Sequence, residues 1–257
     1  MLKEIKNLLS FLTTIPVRMD KDCLVDSARF MFVFPLIGAL LGLLAGLFGW
    51  LTSLFLPSLV VGGLILGVLL LLTGLHHTDG LLDFGDGVMT HGSSDRKIEV
   101  MHDQLTGAGG LSFGIMTFLV TAFSIAELDL PITVWGIPVI ISGLVVAEVS
   151  AKLSMVVGAW AGRAVHEGMN SSFLAAMHGG KGDARLIAAL AISLGVAVPL
   201  LWLAGAIAVL AAVITGLVMV GISHRHFNGV TGDVLGATNE LSRMVSLITL
   251  LAVIRWV

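Results

Sequence analysis

Between residues 76 and 103 the chain gathers His76, His77, Asp79, Asp83, Asp86, His91, Asp95, Glu99, His102 and Asp103, directly after an apolar run long enough to cross a bilayer. Ionisable groups at a membrane boundary carry a desolvation cost, and where they cluster they mark a ligand or a reaction. Asp79, Asp83 and Asp86 follow the spacing i, i+4, i+7, which on an α-helix brings three carboxylates within about 60° of arc. Like charges that close stay ionised together only beside a counter-cation; otherwise a pKa must rise. An all-oxygen donor set suits Mg²⁺ or Mn²⁺ far better than zinc, and Mg²⁺ held by carboxylates usually also binds substrate phosphate. Gly80, Gly85 and Gly87 would let a phosphate-sized ligand approach the backbone. Asp103, at the mouth of the next apolar segment, would add a fourth carboxylate if the two segments pack side by side, and Glu99 lies one turn before it. Ser93 or Ser94 caps a short helix running to about Asp103, on which Arg96 carries a charge suited to phosphate. Asp95, Lys97, His91 and His102 read more simply as a solvated loop at the membrane edge.

Two further polar segments follow. Residues 152–185 hold Arg163, His166, Asn170 and Lys181, with positive-inside charge a sufficient reason for Lys181 and Arg185. Glu148 and Lys152, at i, i+4, read as a pair. In residues 224–240, Asp233, Asn239 and Glu240 precede the last apolar run, with Thr231 and Thr238 nearby. By residue type alone this third segment fits a substrate contact and a flexible turn with a helix cap equally well.

The elements that must position these groups are set by composition. With 56% hydrophobic residues, 12% charged residues and a mean hydropathy of +1.01, the chain lies far outside the range of soluble domains. The expectation is an all-α, polytopic membrane helix bundle forming one domain over residues 1–257. About seven spans can be traced: Arg29 to Leu56, Ser58 to Leu75, Leu105 to Ala126, Ile132 to Trp160, Leu186 to Trp202, Leu203 to Ile222 and Leu241 to Trp256. Residues 186–222 must divide near Pro199. Met1 to Ser27 has no signal-peptide pattern and reads as an amphipathic entry segment. With the N-terminus in the cytoplasm, thirteen of the fourteen Lys and Arg fall on or near the cytoplasmic side, Arg255 being the exception, and all eight His join them. The chemistry therefore faces the cytoplasm. A net charge of −3 and a pI near 6.2 offer no basic surface for nucleic acid. The single cysteine, Cys23, excludes an internal disulfide. The run Gly38-x-x-x-Gly42-x-x-x-Gly46 permits close helix contact, either within the subunit or in a homodimer.

The order His77-x-Asp79-Gly80-x-x-Asp83-x-x-Asp86-Gly87, then Arg96 with Ile98-Glu99-Val100-Met101-x-Asp103 and Gly107, then Gly229-Val-Thr-Gly-Asp233-Val-Leu-Gly-Ala-Thr-Asn239-Glu240, resembles the cobalamin synthase family, the adenosylcobinamide-GDP ribazoletransferases. The opening Phe-Leu-Thr-Thr-Ile-Pro-Val-Arg is similar too, so the resemblance spans nearly the whole chain. Leu105 stands where members often carry Arg, and residues 163–170 offer only Arg163 or His166 as a basic group.

The resemblance implies transfer of phosphocobinamide from adenosylcobinamide-GDP to the 5′-hydroxyl of α-ribazole or its phosphate, with release of GMP. It implies a Mg²⁺ cofactor, with Asp79, Asp83, Asp86 and Asp103 holding one or two ions, and a carboxylate or His77 as the proton acceptor. Asp233, Asn239 and Glu240 would orient α-ribazole or guanosine, while Arg96, Glu99 and Arg163 would contact the rest of the substrates. A cell-membrane location would suit association with other corrinoid-pathway enzymes. Two rivals remain in view. A CDP-alcohol phosphotransferase also expels a nucleoside monophosphate but needs Asp-Gly-x-x-Ala-Arg, where this chain has Asp83-Phe84. A carboxylate-based membrane transporter would need charges near the midplane and internal repeats, and the acids here collect at one face.

Overall fold

The computed structural model describes residues 2–17, 21–128, 133–165 and 169–254. It is an all-α bundle, in order α1 (Leu2–Leu12), α2 (Cys23–Arg29), a 3₁₀ turn (Met31–Val33), α3 (Phe34–Ser53), α4 (Ser58–Leu72), α5 (His76–Met89), α6 (Ser94–Met101) and α7 (Ala108–Ala126). A two-residue hairpin, β1 (Thr133–Val134) and β2 (Ile137–Pro138), leads into α8 (Val139–Ala161), α9 (Met169–His178), α10 (Gly182–Phe227) and α11 (Gly232–Ile254). Helix α8 is the axis. Every residue from Val139 to Ala159 is buried, and α3, α10 and α11 pack around it. A helix apolar on all sides and wrapped by others is what a membrane bundle core requires.

Five helices are long and apolar enough to cross a membrane: the 3₁₀ turn with α3, then α7, α8, α10 and α11. Helices α4 and α5 meet that test only together, bent by 97°. The chain is thus a multi-pass membrane protein.

Local chemistry explains the bend. Gly74 and Leu75 are both left-handed, at φ 65° and 62°. The Leu75 N–H donates to the Leu70 carbonyl and the Gly74 N–H to that of Leu71, each at 3.1 Å, the bond pattern of a Schellman stop. The span expected to run to Leu75 therefore ends at Leu72, and α5 turns aside to lie across the N-terminal ends of α7 and α11.

The 46-residue α10 is two arms. Leu201 and Trp202 have non-helical dihedrals, close to the expected division at Pro199. Drawn straight, such a helix would be about 69 Å long. Instead its first turn bonds through Asp183 to the indole of Trp160, while His224 near its end accepts from the Arg163 N–H. Both partners sit at the C-terminal end of α8, so the arms are antiparallel. Trp135 stacks on Trp202 at 5.5 Å and donates to the Pro199 carbonyl, pinning the turn.

At the opposite end of the bundle the amphipathic α1 and α2 are tied to each other, Asn7 donating to Asp26 at 2.8 Å. Thr14 ties the segment after α1 to the end of α4, its N–H and hydroxyl bonding the Leu72 and Leu71 carbonyls.

The glycines of the Gly38, Gly42, Gly46 run face α8. A Cβ on Gly42 would lie 2.4 Å from the Leu144 carbonyl oxygen, and one on Gly38 equally close to that of Glu148. That stripe is consumed by packing within the chain. Arg18, Asp129, His166 and Arg255, which figured in the topology and loop expectations, lie outside the described residues, as does residue 167.

Candidate active site

Three carboxylates meet where α5 crosses the start of α11. Asp79 is exposed on the first turn of α5, Asp83 is half-buried one turn on, and Asp233 stands on the first turn of α11. The crossing is close because Gly80 faces the backbone of Asp233: a Cβ there would lie 2.7 Å from the Asp233 carbonyl oxygen. Helix α11 starts at Gly232 rather than near Leu241, with Thr231 accepting from the Val234 N–H as its cap. The carboxyl of Asp83 is pushed up to about 7, first by burial and then by the charges of Asp79, Asp233 and Asp86. Among the described residues no Lys or Arg forms an ion pair with Asp79, Asp83 or Asp233.

Asp86 departs from the expected convergence. It is buried, and its two oxygens accept from the N–H groups of Gly107 at 2.7 Å and Gly110 at 2.8 Å, so it caps α7, where backbone amides and the helix dipole favour an anion. Gly85 and Gly87 likewise admit protein and not phosphate, the first facing Gly109 and Phe113 of α7 and the second Met101 and Phe227. Asp103 is exposed and accepts from the Leu105 N–H two residues on. The expected helix is there as α6, with Ser93 accepting from the Arg96 N–H as its cap. On α6 Arg96 pairs with Glu99 at 2.7 Å, both exposed. Arg163 is exposed after α8, its backbone bonded to His224 and Val230.

His77 is buried, its Nδ1 has no hydrogen-bond partner, and burial with the positive charges of Lys152 and Arg243 holds its pKa well below the ordinary value. With Asp79 and Asp233 it lines a cavity of about 520 Å³ roofed by the N-terminal helices.

Asn239 and Glu240, expected at the substrate, are buried between α8 and α11. Lys152 donates to Asn239 at 2.6 Å, Asn239 to Glu240 at 3.1 Å, and Arg243 bridges Glu240 and Glu148. The expected Glu148–Lys152 pair is thus replaced by contacts across to α11. Two acids and two bases cancel, the condition under which charge is tolerated in a bilayer core. No spacing pattern in the sequence pairs Arg243 with Glu148. The available signal was the presence of four charged side chains inside otherwise apolar spans.

The donor chemistry at the α5–α11 crossing fits a hard divalent cation. The set is carboxylate oxygen with no Lys or Arg paired to it among the described residues, and Mg²⁺ ordinarily takes one or two carboxylates and completes its shell with water and substrate phosphate. Among the described residues no three His, Cys, Asp or Glu side chains form a ready-made metal site, so substrate oxygens would have to complete the shell.

Helices crossing a bilayer and a carboxylate cluster beside a cavity at one end of them define a class: a polytopic membrane protein with an acidic site at one end of its helix bundle. The family follows from comparison. The model of the Cobalamin-5-phosphate synthase family matches residues 4–251, and the chain belongs to that family. It is 35% identical to the adenosylcobinamide-GDP ribazoletransferase of Methanocella arvoryzae, over 96% of this chain and 94% of that one. The enzymes of the same name from Methanococcoides burtonii and Thermococcus kodakarensis are 32% and 31% identical, with 96% and 98% of this chain covered and 90% and 99% of theirs. No solved structure matches the chain.

Proposed function

We propose that this protein transfers the phosphocobinamide group of adenosylcobinamide-GDP to the 5′-hydroxyl of α-ribazole, releasing GMP and forming adenosylcobalamin; α-ribazole phosphate would give the phosphorylated product. The observation that carries the reading is the family match over residues 4–251, together with relatives that share this name and align over nearly their whole length. The carboxylates gathered at the α5–α11 crossing support it chemically.

In the reaction a new P–O bond forms to the ribose 5′ oxygen while the bridging P–O bond to GMP breaks. Such displacement is catalysed mainly by positioning and by charge neutralisation. Asp79 and Asp83 would hold Mg²⁺, or Mn²⁺ in its place, with the substrate diphosphate. Bound there, the ion would supply neutralisation of the phosphoryl oxygens and of departing GMP. Asp233 lines the cavity and is partly buried, which suits it to accept the 5′-hydroxyl proton. His77 would donate or accept a hydrogen bond to the ribose, and the exposed Arg96 and Arg163 would meet phosphate. With both oxygens occupied, Asp86 would serve the site by fixing α5.

The helices support seven crossings when the arms of α10 are counted separately and α4 is included. The positive charge bias supports an N-terminus and an active site on the cytoplasmic face of the cell membrane. The deciding experiment is GMP release by detergent-purified protein supplied with both substrates, with Mg²⁺ and with EDTA, beside Asp79→Ala. Metal-dependent GMP and cobalamin formation, lost in the variant, is expected. Folded protein with no turnover under any of these conditions would overturn the reading.

A further inference from the structure

The cavity beneath the N-terminal helices has two chemically distinct ends. His77, Asp79 and Asp233 form the polar one. Apart from Ser10, Thr73 and His76, the rest is apolar, with an aromatic cluster of Phe11 of α1, Phe34 of α3 and Phe173 of α9 beside Met31 and Met155. The three rings are one cluster, Phe173 lying 5.2 Å from Phe11 and 6.1 Å from Phe34 between centroids. A cavity of about 520 Å³ is in the range that takes a small organic ligand. Its roof is held in place by the Asn7–Asp26 and Thr14–Leu71 hydrogen bonds. Buried at the polar end, the Nδ1 of His77 lacks a partner, which leaves hydrogen-bonding capacity for a ligand hydroxyl once the ring adjusts.

We propose that this cavity is the acceptor subsite, with the planar aromatic base of the nucleoside held among Phe11, Phe34, Phe173 and Met155 and its ribose directed to His77, Asp79 and Asp233. The assignment rests on the transferase reading above and adds to it which substrate sits where. Size and polarity separate the two candidates. The acceptor is an apolar, methylated bicyclic base on a polar sugar, matching the two ends of the cavity. The donor's corrinoid is several times larger than the cavity and rich in amide groups, and its guanine, though small enough, carries polar edges that the Phe11, Phe34, Phe173 and Met155 lining would leave unpaired. Aromatic faces and thioether sulfur both pack favourably on a planar π-system. Seating the base there would place the 5′-hydroxyl beside Asp233 and leave the exposed side of Asp79 and Asp83 for the diphosphate.

Cys23, the chain's single cysteine, lines the same cavity and so reports occupancy without turnover. Purified full-length protein in detergent, without donor, is treated with N-ethylmaleimide in increasing α-ribazole, and Cys23 labelling is followed by mass spectrometry. At ten times the half-saturating concentration labelling should slow about tenfold. Guanosine is the control and should leave the rate unchanged. Protection by adenosylcobinamide-GDP but not by α-ribazole overturns the assignment. In parallel, Phe173→Leu and Met155→Ala should each raise the acceptor KM about tenfold while sparing the donor KM, and wild-type protein should prefer α-ribazole over the riboside of unmethylated benzimidazole by a similar factor. A raised donor KM with an unchanged acceptor KM also overturns it. If GMP forms from the substrate pair but α-ribazole gives no protection, the cavity assignment fails and the transferase reading stands. If α-ribazole protects Cys23 but no GMP forms, the transferase reading fails and the occupant stands. Neither signal would overturn both.

Discussion

Replacing Asp86 with Ala tests whether this aspartate holds α5 against α7 or serves a ligand. The carboxylate accepts from two α7 amides, at 2.7 and 2.8 Å, and nothing else among the described residues replaces it. A hydrogen bond to a charged group is worth about 1.5–3 kcal/mol. Gly107 is exposed, so its N–H can recruit water when the carboxylate is lost, whereas Gly110 is buried and cannot. The low end of the range for one bond and the middle for the other, with the lost favourable dipole contact included, give about 4 kcal/mol. For a chain of this size that corresponds to a fall in unfolding midpoint of about 8–16 °C. Asp86→Asn keeps one acceptor but sets an amide NH₂ against the other donor, so it should recover no more than half. Asp79 is exposed, and Asp79→Ala should move the midpoint by no more than about 2 °C while abolishing GMP release. The assay is thermal unfolding in detergent beside GMP release at a temperature where every variant is folded. An Asp86→Ala protein as stable as the parent yet inactive would refute this reasoning and return Asp86 to the ligand set.

Three further outcomes are expected. In metal-free protein the raised Asp83 carboxyl makes the folded state hold a proton that the unfolded chain releases near pH 4. Its contribution to stability is therefore present below pH 4 and is lost as pH rises through about 7; in EDTA the parent's unfolding midpoint should fall across that window relative to that of Asp83→Asn, so an identical profile in the variant would count against the raised pKa. Arg243→Met leaves Glu148 and Glu240 with only Lys152 to balance both and should cost about 3–5 kcal/mol, read as loss of folded yield or a large drop in midpoint; a midpoint unchanged from the parent would mean that the network is not intact in the folded protein. Gly42→Ala puts a methyl 2.4 Å from a backbone oxygen, which should cost about 1–3 kcal/mol without altering particle mass by light scattering; a change in oligomeric state at full stability would restore that stripe to a subunit interface.

Much of the architecture was legible because it rests on local patterns. Apolar runs gave the crossing helices, Pro199 marked the division of α10, and Ser93 marked the cap of α6. The candidate site residues were legible in type but less so in placement. Asp79, Asp83 and Asp86 do share an arc, as the i, i+4, i+7 spacing requires, yet Asp86 lies about 10.5 Å further along the helix axis than Asp79. That displacement carries it from the edge of α11 to the edge of α7, and no periodicity within α5 reveals which neighbour lies at each end. Asn239 and Glu240 followed the same logic in reverse. Their polar character suggested a loop, but α11 begins at Gly232 and buries them against α8, because Arg243 and Lys152 on neighbouring turns satisfy them. A long-range pairing of that kind leaves no mark in a single sequence beyond the presence of charge where none is expected.

The consequence is a carboxylate cluster whose geometry depends on residues outside it. Helix α5 is held at one end by Asp86 on the amides of α7 and near the other by Gly80 against the backbone of Asp233, so the separation of Asp79 and Asp83 from Asp233 is set by backbone contact. Helix α11 is held in turn by Arg243 and Asn239 on α8, within three turns of Asp233. An ion pair with two carboxylates fixes rotation as well as distance, since a helix turned by one residue, about 100°, would carry Asp233 off the cavity wall and leave Glu148 without its partner. Buried ionic groups often stabilise less than apolar replacements of the same volume. Their use here is consistent with orientation, because apolar packing alone would tolerate several rotations of α11 and the carboxylate cluster tolerates one.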